Sequence, residues 1–370
     1  MKEFAIHPVI WWADSIADFC HSYAIDEHDL VFASARMQRQ FIQGFSGARV
    51  IDYRRFGVGE PTDEMVEGIL RELGNAEFRR VFAIGGGTIL DVAKLFALQK
   101  LSPVTGLFAG QFAPQKVRQL ILVPTTCGTG SEVTNISILS FVAQKTKLGL
   151  AAQALFADEA VLVPELLQGL PARVFGASSI DALIHAVESY TSPKANSFTQ
   201  EFSLQAMDLI LHGYQAIAQQ GDAARQALLP DFLRASTLAG IAFGNAGCAA
   251  VHAMSYPLGA ACHVPHGESN YVLFTAVYRA YQQIEYGGCL QKLYQHLAAL
   301  FECPEMEVLN RLEELLGHIL RWKKMHEYGT AESDIERYAD TVMNCQGRLM
   351  ANNYTKLDRA AVISIYRQVY

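Results

Sequence analysis

The chain has 370 residues, 51% of them hydrophobic and only 18% charged, with a formal net charge of -7. At about 150 residues per domain this length predicts two domains with sizeable cores, and the apolar fraction excludes a disordered chain. The acidic balance argues against a dedicated nucleic-acid binder, and no apolar run reaches the length of a bilayer crossing, so the expected partner is a small molecule with no nucleic acid and no membrane involved.

The first residues, Met1 to His7, lack the apolar core and small-residue cleavage site of a signal peptide. The cysteines Cys20, Cys127, Cys248, Cys262, Cys289, Cys303 and Cys345 form no CxxC pair. Neither a disulfide framework nor a zinc ribbon is implied, and a cytoplasmic chain with reduced thiols is expected.

In chain order, short β-rich runs alternate with helical spacing, the pattern of βαβ units on a mostly parallel sheet. The runs are Leu30 to Ala33, Val50 to Tyr53, Val81 to Ile84 and Leu120 to Val123, with helices expected over Asp63 to Leu73 and Ile89 to Leu98. A hairpin or edge pair is expected from Ile136 to Leu150, then a strand over Ala160 to Val163. Pro164 to Pro171 punctuates the chain, and from Ala172 the spacing is helical throughout. The expected division is a Rossmann-like α/β dinucleotide-binding domain over 1–165 and an all-helical metal and substrate domain over 166–370, with a cleft between them.

Gly85-Gly86-Gly87-Thr88 follows a buried strand and opens a helix, where backbone amides suit a pyrophosphate. Thr88 and Asp91 have capping-box spacing. A glycine triplet alone is also an ordinary tight turn. Pro124 to Glu132, with Thr125, Thr126, Thr129 and Ser131, follows the next strand in the same way, and two such loops favour a nucleotide site at the sheet rim. Cys127, inside that loop, reads as a small packed residue.

Asp181 and His185 are four apart and share a helical face, whereas His252 and His266 flank a segment carrying Pro257, Gly259, Pro265 and Gly267. Those residues are expected to break the helix and fold the second histidine back toward the first. One carboxylate and three imidazoles suit divalent Fe or Zn, although each residue taken singly also fits an ordinary helix face or turn.

GGGTILDVAK, PTTCGTGSEVTN, DALIHAVESYTSP and HAMSYPLGA with PHG together resemble the iron-containing, or group III, alcohol dehydrogenases, over essentially the whole chain. AGIAFGNAG (239–247) and HVPHGESNY (263–271) are similar to the short 4-hydroxybutyrate dehydrogenases of that family. The resemblance implies the two-domain architecture also seen in dehydroquinate synthase, and an enzyme that interconverts an alcohol and an aldehyde. It implies Fe2+, Zn2+ or another divalent metal on Asp181, His185, His252 and His266. It also implies NAD(H), with NADP(H) open, contacted by Gly86, Gly87, Thr88, Asp91, Thr125, Thr126, Thr129, Ser131 and Lys147. A homodimer or larger homo-oligomer is implied as well.

Three departures qualify it. Tyr256 stands where many relatives carry a histidine four residues after the third ligand, leaving the proton relay unassigned. His263, three residues before His266, is an extra candidate for proton relay or substrate binding. Ala33-Ser34-Ala35-Arg36 lacks the acidic residue that relatives place at the end of this strand for the adenosine ribose. An ω-hydroxy acid substrate needs a donor for its anionic end, and Asn135, His263 and Asn270 are the candidates. A sulfonate such as sulfoacetaldehyde fits the same chemistry. A sugar-phosphate cyclase would need a basic cluster that the sequence does not place near the ligands.

Overall fold

The computed structural model describes residues 4–41, 44–57, 59–144 and 146–370. They form two compact units, Ile6–Gly169 and Leu170–Tyr370, the latter joined by the N-terminal residues up to Ala5.

The first unit holds strands β1 (Val9–Trp12), β2 (Asp29–Ala33), β3 (Arg49–Ile51), β4 (Arg80–Gly85), β5 (Gln119–Pro124), β6 (Ile136–Phe141), β7 (Thr146–Ala151) and β8 (Glu159–Leu162). Its helices are α1 (Ile16–Tyr23), α2 (Ala35–Gln40), α3 (Asp63–Leu73), α4 (Gly87–Phe96) and α5 (Val104–Phe108). Six strands form one sheet in the order β1-β8-β5-β4-β2-β3, all neighbours parallel. The connections run outward from β2 to β3 and, in the other direction, from β4 to β5. Their reversal beside β4 is the place where an open α/β sheet binds its ligand.

The central strands are continuously apolar because both faces are covered. Leu30, Phe32, Val81, Ala83, Leu120 and Leu122 pack with α3 and α4 on one face, whereas Val31, Ala33, Phe82, Ile84, Ile121 and Val123 pack with Phe19, Met37 and Phe41 on the other. Each buried Leu, Ile, Val or Phe among them contributes about 1.5–3 kcal/mol. The expected hairpin is a separate antiparallel pair, β6 with β7, and residue 145 at its turn lies outside the described residues. β1 was not expected from the sequence. It is an edge strand, all four of its residues exposed, paired in parallel with β8.

The second unit is helical: α6 (Ala172–Thr191), α7 (Ser197–Gln220), α8 (Asp222–Ala227), α9 (Leu229–Ala246), α10 (Ala250–Cys262) and α11 (His266–Ile284), then further helices to residue 368. α6 is buried along nearly its whole length and packs against α7, α9 and α11. Such a helix is the centre of its unit rather than an amphipathic cover. Gly267, second in α11, sits so close to α6 that an added Cβ would overlap the Ala177 carbonyl oxygen. Pro257 and Gly259 do not break the chain as expected. α10 runs through both, and the turn falls at His263-Val264-Pro265, with His263 in the left-handed region at φ 52°. Proline removes one intrahelical bond, to the Ala253 carbonyl, and burial of Met254 and Leu258 outweighs that loss. No single helix among the described residues is long and apolar enough to cross a membrane.

Candidate functional site

Two sets of residues carry the chemistry, one in each unit. In the α/β unit the loops after β4 and β5 leave the same rim, since Gly85 pairs with Pro124 and the Thr125 amide donates to the Gly85 carbonyl at 3.0 Å. The loops touch. A Cβ on Gly87 would lie 2.7 Å from Thr129 Cγ2, and one on Gly86 would lie 3.3 Å from Thr126 Cγ2. Glycine is therefore required by the neighbouring loop as much as by any ligand.

The expected capping box does not form. Gly86 is the N-cap of α4 and no side chain caps the helix, which leaves its first amides to an anion. Asp91 instead braces the two loops, accepting from Ser131 Oγ at 2.5 Å and from the Ile138 amide at 3.0 Å. Beneath it lies Lys94, fully buried, which the sequence reading did not single out. Its ammonium donates to Ser131 Oγ and the Ile136 carbonyl, both at 2.7 Å, and to Asp91 and Thr134 at 3.3 Å. Burial lowers the Lys94 pKa, opposed by the charges of Asp91 and Glu132. Thr125, Thr126 and Thr129 are half-buried on this rim, and Cys127 is buried. Lys147, on β7, is ion-paired with Glu60 at 2.6 Å.

At the end of β2, Arg36 donates to the Gln168 carbonyl at 3.0 Å. Asp52, just past β3, accepts from the Ala35 amide at 3.2 Å and so sets a carboxylate beside the end of β2.

In the helical unit, Asp181 and His185 project from one face of α6, His252 from α10 and His266 from the first position of α11. The His252 and His185 Nε2 atoms are 3.0 Å apart, and Asp181 Oδ1 is 3.7 Å from both His252 Nε2 and His266 Nε2. Asp181, His185 and His252 are buried, and only His266, with 32% of its side chain exposed, opens the cluster to solvent. Burial works against ionisation of Asp181, but the His185, His266 and His252 charges outweigh it and hold the carboxyl far below its ordinary range. For His252 burial is likewise outweighed, by Cys248 and Glu188, and its pKa is raised well above the usual value.

Glu188, another buried residue outside the sequence reading, fixes His252. Its carboxylate takes Nδ1 of His252 at 2.6 Å and the amides of Ala249 and Val251 at 2.9 and 2.6 Å. With Nδ1 engaged, Nε2 of His252 must face Nε2 of His185. Two imidazole lone pairs at that separation need a proton or a cation between them, and a carboxylate on the far ring nitrogen is how a metal-ligating histidine is oriented. The donor set of one carboxylate and three imidazoles fits a divalent transition metal. Glu188 lies seven residues after Asp181 and three after His185, so helical spacing was the available signal.

The remaining sequence candidates are placed differently. Asn270 is fully buried and its Nδ2 donates to Asp181 Oδ1 at 2.7 Å, so this amide steadies the cluster. Tyr256, one turn after His252, has its ring 6.0 Å from that of His266, and burial pushes its pKa up to about 12. His263 is exposed at the end of α10. Asn135 is half-buried just before β6, in the other unit.

Comparison with known proteins agrees with this chemistry. Residues 15–164 match the iron-containing alcohol dehydrogenases, and residues 175–370 match the C-terminal part of the Fe-containing alcohol dehydrogenase family. The chain is 40% identical over 371 residues to the 4-hydroxybutyrate dehydrogenase of Clostridium kluyveri, with 100% of both chains covered. It is 31% identical over 304 residues to the sulfoacetaldehyde reductase of Bilophila wadsworthia, covering 77% of this chain and 75% of that one. Its fold is that of the sulfoacetaldehyde reductase from Bifidobacterium kashiwanohense in complex with NAD+, with a TM-score of 0.84 at 21% identity, covering 100% of this chain and 98% of that one. The chain belongs to the iron-containing alcohol dehydrogenase family and is a metal- and nicotinamide-dependent oxidoreductase acting on a small alcohol or aldehyde.

Proposed function

We propose that the enzyme interconverts 4-hydroxybutyrate and succinate semialdehyde with NAD(H), using a divalent metal held by Asp181, His185, His252 and His266. The observation that carries the substrate is the 40% identity to the Clostridium kluyveri enzyme across both whole chains. The convergence of the four donors supports the metal assignment. When bound there, the metal supplies Lewis acidity that polarises the aldehyde oxygen.

The chain's own residues do the rest. Glu188 and Asn270 hold the ligands in register. The uncapped start of α4, with Gly86, Gly87 and Thr88, takes the cofactor pyrophosphate, and Thr125, Thr126, Thr129 and Ser131 line the same rim. Lys147 lies on the hairpin of this unit and completes the cofactor contacts carried over from the family. Asp52 beside the Ala35 amide presents an acid to the adenosine ribose, which favours NAD over a 2′-phosphate. Tyr256 keeps its proton over the working range and is a donor beside His266. His263, exposed three residues before His266, receives the anionic far end of the substrate, with Asn135 as the second candidate.

His263→Ala is expected to raise KM for succinate semialdehyde about tenfold, the value of one charge-assisted hydrogen bond, with kcat changed far less. An unchanged KM removes His263 from the substrate site. The reading as a whole is tested by kcat/KM with NADH for succinate semialdehyde and sulfoacetaldehyde, using enzyme reconstituted anaerobically with Fe(II). Preference for the carboxylate is expected. Preference for the sulfonate, the substrate chemistry of the 31% identical Bilophila relative, replaces the substrate and keeps the rest.

We further read a cytoplasmic homodimer or larger homo-oligomer. None of the seven cysteines is in a disulfide, and β1 presents Val9 and Trp11, each more than half exposed, on a sheet edge suited to a second copy.

A further inference from the structure

We propose that Cys248 supplies a thiolate to the metal centre, giving this chain a second, softer donor set of His185, Cys248 and His252 that overlaps the carboxylate-imidazole set. The inference rests on the reading that Asp181, His185, His252 and His266 hold the metal.

The donor atoms fall into two groups, Asp181 with His252 and His266, and His185 with Cys248 and His252, each group lying within 4.8 Å of one another. His252 belongs to both. Two donors on one ion, at about 2.1 Å for imidazole and about 2.3 Å for sulfur, stand at most about 4.4 Å apart. On a tetrahedral ion the two stand about 3.6 Å apart, so the second group, lying within 4.8 Å, closes on such an ion with a movement of about an ångström or less. Among the described residues no other cysteine joins such a group.

Cys248 is held in place by its backbone. It is 8% exposed, in the turn between α9 and α10 where Gly247 has φ 81°. Asn352 Nδ2 donates to the Cys248 carbonyl at 3.1 Å, and the next amide, of Ala249, is taken by Glu188 at 2.9 Å. Glu188 thus fixes His252 and the Cys248 turn with one carboxylate. As the sulfur-metal bond forms, the thiol proton passes to solvent, so metal binding releases that proton in addition to any held by the imidazoles. A thiolate in the set shifts preference toward zinc and cobalt and away from purely oxygen-seeking ions.

Cobalt makes the sulfur visible without any turnover. Full-length enzyme is stripped with chelator and reloaded anaerobically with Co(II). The wild type is expected to show visible ligand-field bands together with a near-ultraviolet thiolate-to-cobalt charge-transfer band, and Cys248→Ser and Cys248→Ala lose the second while keeping the first. X-ray absorption of the wild-type cobalt enzyme, which needs no variant, is expected to contain a sulfur neighbour at about 2.3 Å. Ligand-field bands with neither the charge-transfer band nor that neighbour overturn the proposal, as does a charge-transfer band that survives in both Cys248 variants. Failure of the underlying four-residue reading looks different: Asp181→Ala and His266→Ala then leave the cobalt spectrum untouched.

Discussion

His266→Ala is expected to abolish metal retention and to lower turnover by about three orders of magnitude or more, since a Lewis-acid metal contributes several kcal/mol at the transition state and each 1.4 kcal/mol is tenfold. His266 is the exposed edge of the cluster, so its removal opens the site to water while sparing the core beneath. The chain should still fold: thermal melting without metal stays near that of the wild-type apoenzyme, while metal content after gel filtration falls to background. Glu188→Gln gives the graded comparison. It keeps the volume but replaces an acceptor of three hydrogen bonds with a group that must present one NH2. Metal affinity should fall about 10- to 100-fold, the range for outer-shell partners of metal-ligating histidines. Normal metal content and turnover in His266→Ala would remove the metal assignment outright.

The sequence disclosed the parts of this molecule whose signals are local. β2, β4 and β5 are legible because strands covered on both faces read as unbroken apolar runs, and the start of α4 is legible because three glycines interrupt such a run. Asp181 and His185 share a helix face by spacing alone. What the sequence hid depends on partners far along the chain. β1 is short and exposed, and it is a strand only because β8 lies beside it, 150 residues later in register. Glu188 reads as one more polar residue in α6 until α10, 64 residues on, brings Nδ1 of His252 to it. Pro257 is a breaker by local rule, yet α10 continues through it because the helix gains more from burial than it loses in one hydrogen bond. Thr88 and Asp91 match a capping box in spacing, but Asp91 meets Ser131 from the neighbouring loop and the Ile138 amide of β6, and that tertiary pairing prevails over the local cap.

Lys94→Met should carry the second large effect, in the cofactor unit. Lys94 is fully buried beneath the two phosphate loops, where its ammonium joins Asp91 and Ser131 to the Ile136 carbonyl. Methionine keeps most of the volume and supplies no donor, leaving a buried carbonyl unpaired and Asp91 without its cation. Breaking a buried pair by removing one partner costs about 3–5 kcal/mol, so the variant should unfold at clearly lower denaturant. The KM for NADH should rise at least tenfold while metal content stays full, because the metal ligands belong to the other unit. The stability difference should also depend on pH. Burial lowers the Lys94 pKa, so as pH climbs toward the ordinary lysine value the folded chain binds fewer protons here than the unfolded chain. Wild-type stability therefore gains from this group across that alkaline window, and Lys94→Met lacks the gain. A variant with unchanged stability and unchanged KM for NADH would show that the two loops are held without the buried cation, and would return Asp91 and Ser131 to direct contact with the cofactor.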